Sequence, residues 1–427
     1  MAVFSSSTTV SKIAVFIAMM ASISIPLRAI GVAPQQGALI LSLIGALAIQ
    51  YQSTEARRLI WQALTSRRGI LISSVFVSWA ITIPFSIAPL GSLEIGGRTG
   101  IFLLGVVFVW AALRTYEDVH ILLWKTLVVA SITSVVVSIG ALQGISEIIS
   151  IIKVDFNRPE APTLELQVFA ASVAFKAFAA STICMFPIIV WAGRRLGGAW
   201  RFWAYAYLPL SIIVILKTQN HAAIAGLLAM TITGMAVVVL NKHRHTKTLI
   251  VLSVIVATSI LAWVRSDRLV FTTRNLDGMY LPEWLIDPHR QQIWKFAYSK
   301  FLENPWFGNG IDQLNKLPGA HEVAADLGAS AFLIPSHPHN WALEILTEAG
   351  IIGFLPVVIA LGYVAWRLIR HFLKTQDEGA LAQLTLIAGF WASALFNFSI
   401  WAVWWQLTFF ILFAIVSAAP PEKHKQP

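Results

Sequence analysis

The sequence predicts an all-α integral membrane protein, with about twelve transmembrane helices and one large loop carrying short amphipathic helices. Three observations carry that prediction. Of 427 residues, 57% are hydrophobic and only 12% charged, against about a quarter charged in an ordinary soluble domain. The mean hydropathy is +0.72. Apolar runs near the ~20 residues that cross a bilayer recur along the whole chain. They are too long and too continuous for the alternating ~10-residue strands of a barrel, and in lipid only helices and closed barrels satisfy the backbone.

In chain order, the expected spans fall at 10–27, 36–51, 70–89, 99–114, 120–140, 168–193, 202–217, 221–240, 248–264, 350–372, 380–398 and 402–418. The first follows Ser and Thr residues and a single Lys12, without a small-residue cleavage site, and reads as a retained span rather than a signal peptide. Cys184, the sole cysteine, falls inside a span, so no intrachain disulfide is available and it reads as an apolar packing residue. The chain reads as one polytopic domain, 1–427, with an insert at 265–340 between the ninth and tenth spans. That insert is longer than a simple connection, a length that usually marks function. Within it, Asp287-Pro288 starts a helix, and Trp294, Ala297, Tyr298, Phe301 and Leu302 form its apolar face. Asn304-Pro305 stops that helix. Ser336-His337-Pro338-His339 then reads as the opening of another, with proline in the first turn.

Charge orients the spans. Arg57, Arg58, Arg67, Arg68, Arg194, Arg195, Arg201, Lys242, Arg244, Lys247, Arg367, Arg370, Lys374, Lys423 and Lys425 all fall on one side of this arrangement. Cations in short loops stay cytoplasmic, so both termini are expected in the cytoplasm and the loops at 141–167 and 265–340 outside. Most of the net charge of +10 is this topogenic signal. No aromatic-basic module accompanies it, which argues against nucleic acid as a partner.

Candidate chemistry gathers at the expected outer face. Arg290 lies in the first turn of the loop helix, where orphan N–H groups favour an anion and a guanidinium adds a fork suited to phosphate; the alternative is an exposed arginine paired with Asp287. Arg265, Arg268 and Arg274 stand against the charge rule, which favours a substrate role, although Asp267, Asp277, Glu283 and Asp287 offer surface pairing. At the positive end of a helix His339 would stay neutral and able to accept a proton; a merely capping or packing histidine is the alternative. On a helix His337 and His339 would point to roughly opposite faces. The loop shows no third and fourth zinc ligand at customary spacing and no Asp-x-Asp cluster, so neither metal nor cofactor is expected.

The pattern His339-Asn340, nine residues, Gly350, two residues, Gly353 resembles the signature of the O-antigen ligase and O-antigen polymerase superfamily. Arg290-Gln-Gln-Ile-Trp294 and Asn304-Pro-Trp-Phe-Gly308-Asn-Gly310 are similar to its loop segment. The resemblance covers roughly residues 210–372, and the N-terminal half only by hydropathy. It departs at Thr218-Gln219-Asn220-His221, where the family carries a Thr-x-Ser-Arg-like segment; Lys217, one turn away, or His221 would supply the missing cation.

The resemblance implies a membrane glycosyltransferase of the C type. Such an enzyme moves a glycan from undecaprenyl diphosphate to an acceptor hydroxyl at the periplasmic face of the bacterial inner membrane, inverting and without metal. Its partners would be the lipid-linked donor, lipid A-core or another glycan as acceptor, and membrane lipid. On this reading His339 is the general base and Arg290, with Lys217 or His221, clamps the diphosphate. Asn340, His337, Arg265 and Arg268 contact substrate, with Lys176 a weaker candidate. O-antigen ligation to lipid A-core in lipopolysaccharide synthesis is the leading expectation, and O-antigen or exopolysaccharide polymerisation the second. A transporter of lipid-linked glycan is third, since its coupling residues would sit at mid-membrane.

Overall fold

The computed structural model describes residues 8–151, 164–241, 254–255, 286, 288–323 and 332–420. Among them the chain is helical throughout, with a single isolated bridge between Val323 and Phe332. The first half comprises α1 (Thr8–Ser24), α2 (Val32–Gln52), α3 (Thr54–Thr65), α4 (Arg67–Thr82), α5 (Pro89–Thr115), α6 (His120–Leu142) and α7 (Ser146–Ile151). There follow α8 (Leu164–Ala174), α9 (Lys176–Leu196), α10 (Ala199–Lys217), α11 (His221–Leu240), α12 (Pro288–Glu303), α13 (Trp341–Thr375), α14 (Glu378–Ser393) and α15 (Val403–Ala418). Eight of the described helical stretches are long and apolar enough to cross a membrane, with the shorter apolar helices Thr9–Ser24 and Val403–Ala418 beside them. The integral-membrane helical fold expected from composition is therefore observed. The expected span at 248–264 falls outside the described residues apart from 254–255, as do Arg265, Arg268 and Asp287.

Three local expectations are corrected. The single span expected at 168–193 is two helices, α8 and α9, broken at Phe175. The helix expected to open at Ser336 begins instead at Trp341, because the Asn340 side chain accepts from the N–H groups of Ala342 at 3.1 Å and Leu343 at 3.2 Å and so caps it. His337 and His339 therefore lie in the extended approach to α13 and not on its faces. The loop helix α12 buries Ile293 and Ala297 against Leu314, Leu317, Ala320 and Ile334, while Tyr298 and Leu302 are exposed. The side turned onto its own loop is thus that of Ile293 and Ala297, for which the loop supplies a small core, and not the whole predicted face.

Helix α13 is kinked where Gly350 takes φ +62°, ψ −170°, a conformation open almost only to glycine. The turn 304–310 fits into the kink. Ile351 N donates to Pro305 O at 2.8 Å, Ile352 N to Trp306 O at 3.1 Å, Asn309 N to Thr347 O at 2.9 Å and Gly310 N to Glu348 O at 2.8 Å. These bonds satisfy the carbonyls and amides that the kink frees. A Cβ on Gly350 would stand 2.3 Å from Trp306 O, and one on Gly308 2.4 Å from the Glu348 carbonyl carbon. The two glycines thus permit backbone to meet backbone. Across the kink, Trp79 of α4 donates from Nε1 to Gly353 O at 3.3 Å. Ile87 N donates to Asn309 O at 3.0 Å, tying the α4–α5 connection to the same turn.

The bundle has two chemically distinct ends. Helices α11 and α14 run antiparallel: Gly226 lies against Gly389 and Ser393, and at their opposite ends Asn241 bonds Gln376. At that latter end Arg194 pairs with Glu378, Arg195 Nη1 donates to Pro420 O at 3.0 Å and Arg114 Nη1 to Ala419 O at 2.8 Å. The other end holds the starts of α9, α11 and α13 and the α14–α15 connection.

Gly350→Ala is expected to lower stability by about 2 kcal/mol or more, from left-handed strain compounded by the contact with Trp306 O. Gly362, in the same helix with nothing near its missing Cβ, should tolerate alanine or gain slightly. Thermal unfolding of the two variants in one detergent compares them directly.

Candidate active site

The site is built where α12, the approach to α13 and the α14–α15 connection meet. His339 Nδ1 lies 2.9 Å from Asn397 O and His337 Nε2 lies 3.2 Å from the same oxygen. A carbonyl can only accept, so both nitrogens carry the proton, and one oxygen fixes the tautomer of both rings. The ring centroids are 4.1 Å apart. The remaining nitrogen of His337, Nδ1, accepts from Ser336 Oγ at 2.8 Å. In His339 the remaining nitrogen is Nε2, which this tautomer leaves as an acceptor. His339 has φ +53°, a left-handed conformation that turns the chain into the α13 N-terminus.

The expectation that the two histidines face apart is overturned: with Pro338 outside the helix, the two rings converge on one acceptor. Burial, then the neighbouring His337 and Arg290 charges, push the His339 imidazole down to about 3. Burial takes His337 to about 4, with Arg290 acting in the same direction. Both rings are therefore neutral near pH 7, through burial first and neighbouring charges second.

Arg290 sits in the first turn of α12, as its spacing predicted, close enough for its charge to act on both imidazoles. One turn on, Trp294 Nε1 donates to Pro338 O at 2.9 Å and fastens α12 to the histidine segment. His289 Nε2 lies 2.9 Å from Phe332 O, holding the start of α12 to the far side of its loop.

Lys217 ends α10 and is exposed. Thr218 and Asn220 cap the two helices that meet there, Asn220 accepting from Ala223 N at 3.0 Å and donating to Lys176 O. The departure segment 218–221 is thus a tight helix–helix turn. Since α11 and α14 are antiparallel, Lys176, Lys217 and His221 share the end of the bundle that holds the histidine pair, where His337 and His339 meet directly on Asn397 O. Among the described residues no three His, Cys, Asp or Glu side chains are grouped to hold a metal ion.

Two residues that sequence reasoning missed organise the site from below. Glu344 and Glu348, one turn apart on α13, are fully buried. Glu344 accepts from Ser399 Oγ at 2.5 Å and from Ile400 N at 2.8 Å, which anchors the connection that presents Asn397 O. Glu348 accepts from Asp312 N at 2.7 Å, Leu314 N at 3.1 Å and Trp401 Nε1. The signal was there in the sequence as two acids flanked by apolar residues four apart, a spacing that puts both on one helix face.

Comparison with known proteins reaches the same segment. Residues 206–358 match the family model described as O-antigen ligase. Over 200 residues the chain is 26% identical to a protein of Rickettsia prowazekii (strain Madrid E) named "Putative polysaccharide ligase", across 47% of this chain and 48% of that one. A protein of the same name from Rickettsia conorii (strain ATCC VR-613 / Malish 7) is 28% identical over 133 residues, 31% of this chain and 32% of the relative. The chain thus matches between about a third and half of these relatives' length. From residue 206 to residue 358, a stretch that takes in α11, Arg290, the histidine pair and the glycine clasp, this chain is similar to the O-antigen ligase family.

Proposed function

We propose that this chain is a glycosyltransferase that moves a glycan from a polyprenyl diphosphate carrier, undecaprenyl diphosphate in a bacterium, to a hydroxyl of a second, membrane-held acceptor. The observation that carries the proposal is the His339 ring, held by Asn397 O in the tautomer that leaves Nε2 as acceptor, beside Arg290. In the reaction the acceptor oxygen attacks the anomeric carbon and its proton passes to His339 Nε2. The bond from that carbon to the diphosphate oxygen breaks, and its electron pair leaves with the diphosphate. One displacement inverts the anomeric centre. Arg290 at the α12 N-terminus receives the charge on the leaving group, without calling on a metal ion. The bound diphosphate also offsets Arg290's effect on the imidazole, raising His339 toward a working basicity when substrate is in place.

Lys217, His221 and Lys176 supply cations at the same end for the rest of the carrier's phosphate, and Asn340 holds the helix start in register beneath the base. Arg265 and Arg268 belong to the same proposal through their place in the sequence. The match to the O-antigen ligase family and the names of the rickettsial relatives support a polysaccharide as cargo, with lipid A-core as the acceptor in a lipopolysaccharide-making cell. We place the site on the periplasmic face of the inner membrane, because the topogenic arginines gather at the opposite end.

Reconstituted transfer from a polyprenyl diphosphate glycan tests the assignment. His339→Ala should cut kcat by about 10²-fold or more while the protein elutes and melts as the parent does. Retained transfer would remove the base. Arg290→Lys should also lose rate, since lysine keeps the charge but not the fork. His337→Ala should cost less: both of its nitrogens are engaged within the protein, so it acts by buttressing its neighbour.

The pH profile gives a separate check. A base already deprotonated above about pH 4 imposes no acid limb, so kcat/KM of the free enzyme should be flat from pH 5 to 8. A limb near pH 6.5, where an ordinary histidine titrates, would mean that the His339 ring is solvated. The linkage has a definite sign. An unfolded chain binds protons to these two histidines below about 6.5, while the folded one resists until about 4 and about 3. Their contribution to stability is therefore lost as pH falls through that window.

A further inference from the structure

Between α4, α5, α13, α14 and α15 lies a cavity of about 680 Å³, within the ~300–1,000 Å³ of small-molecule sites. Its length is apolar, with Phe76, Trp79, Val364, Ile387 and Phe413 among its walls. Along α13 the lining runs from Val357 to His371, roughly 21 Å at the helical rise, with Ile345 and Ile400 beyond the kink. One end is cationic: Arg68, Arg114, Arg195 and Arg367 line it, against a single acid, Asp377, which pairs with His371 at 3.3 Å.

Trp191 stands at that end, one turn from Arg195. Its side chain is 2% exposed and its Nε1 has no hydrogen-bond partner. That nitrogen lies 3.4 Å from the point where a Gly379 Cβ would stand, which is also 3.2 Å from Asp377 Oδ1 and 3.3 Å from Val416 Cγ1, so glycine at 379 keeps a side chain from crowding the donor. A buried indole N–H without an acceptor is costly; beside four guanidinium groups, the acceptor it fits is an anion.

We infer that this cavity holds an anionic glycerophospholipid, its phosphate among Arg68, Arg367 and Trp191 Nε1 and one acyl chain along the apolar wall toward Ile345. Topogenic arginines alone need not converge on the mouth of an apolar channel, and a soluble anion has no use for its walls. The headgroup lies at the end opposite His339, in the leaflet away from the proposed reaction. This separates it from a carrier whose diphosphate would lie beside Arg290. The inference does not depend on the glycosyltransferase reading.

Native mass spectrometry of the full chain from nanodiscs containing equal phosphatidylglycerol and phosphatidylcholine tests it. One phosphatidylglycerol should be retained per chain, with at least a tenfold preference over phosphatidylcholine. Arg68→Gln combined with Arg367→Gln, two exposed side chains whose loss should leave the fold intact, should reduce that preference to near one. Ala360→Phe, which fills the wall, should reduce retention of both lipids. Equal retention by the parent, or unchanged preference in the double variant, would overturn the inference. So would one-for-one displacement of the phospholipid by undecaprenyl phosphate, which would give the cavity to the carrier's tail.

Discussion

The Glu348 carboxyl group ties three separate stretches of chain to one point inside the bundle. It is buried, and no cation pairs with it among the described residues, so it must be held by donors that the fold delivers: Asp312 N, Leu314 N and the Trp401 indole. To deliver them, the loop after α12 must turn at 308–310 and lie against α13 where Gly350 interrupts the helix. Once it does so, α12 is placed, Arg290 is aimed and Trp294 can reach Pro338 O. Glu344, a turn earlier, does the same for the α14–α15 connection and therefore for Asn397 O. Truncating either acid would strand several donors at once, and this non-additivity distinguishes a hub from an ordinary hydrogen bond.

The arrangement puts rigid elements around a small reactive group. His339 is held by its own strained backbone, by the cap that follows it and by a carbonyl on another helix connection, so its ring has few alternatives. On the proposed reading such preorganisation would matter, because the proton to be taken would belong to a weakly acidic hydroxyl and the leaving group would be heavily charged. The neutral state of the ring is secured by burial and neighbouring cations, and substrate charge is what would make it basic.

Membrane character was legible residue by residue, because uninterrupted apolar runs have few other uses, and His339-Asn340 with Gly350 and Gly353 pointed to the segment that carries the candidate site. The reason for the two glycines lies in long-range contacts that no local spacing encodes: Gly350 makes room for the backbone of Trp306, some forty residues upstream, and Gly353 for the Trp79 ring of α4. The start of α13 was misplaced because Pro338 is a good first-turn residue, whereas Asn340 caps more strongly. Phe175 breaks a run that hydropathy alone reads as continuous. Glu344 and Glu348 were passed over since acids in an apolar segment look like isolated exceptions until the donors that meet them are in view.

Asn397 enters the histidine site through its backbone oxygen. Any amino acid at position 397 supplies the same atom, and the buried Asn397 side chain, which donates to Ser393 Oγ at 3.4 Å, acts on the rings only through the course of the connection. The dependence is geometric instead. The connection from Ala394 to Ala402 must keep its length and its anchorage to Glu344, and one inserted or deleted residue would move the shared acceptor away from both rings together. The site thus depends on the length of this connection more directly than on the chemistry of the side chain at 397.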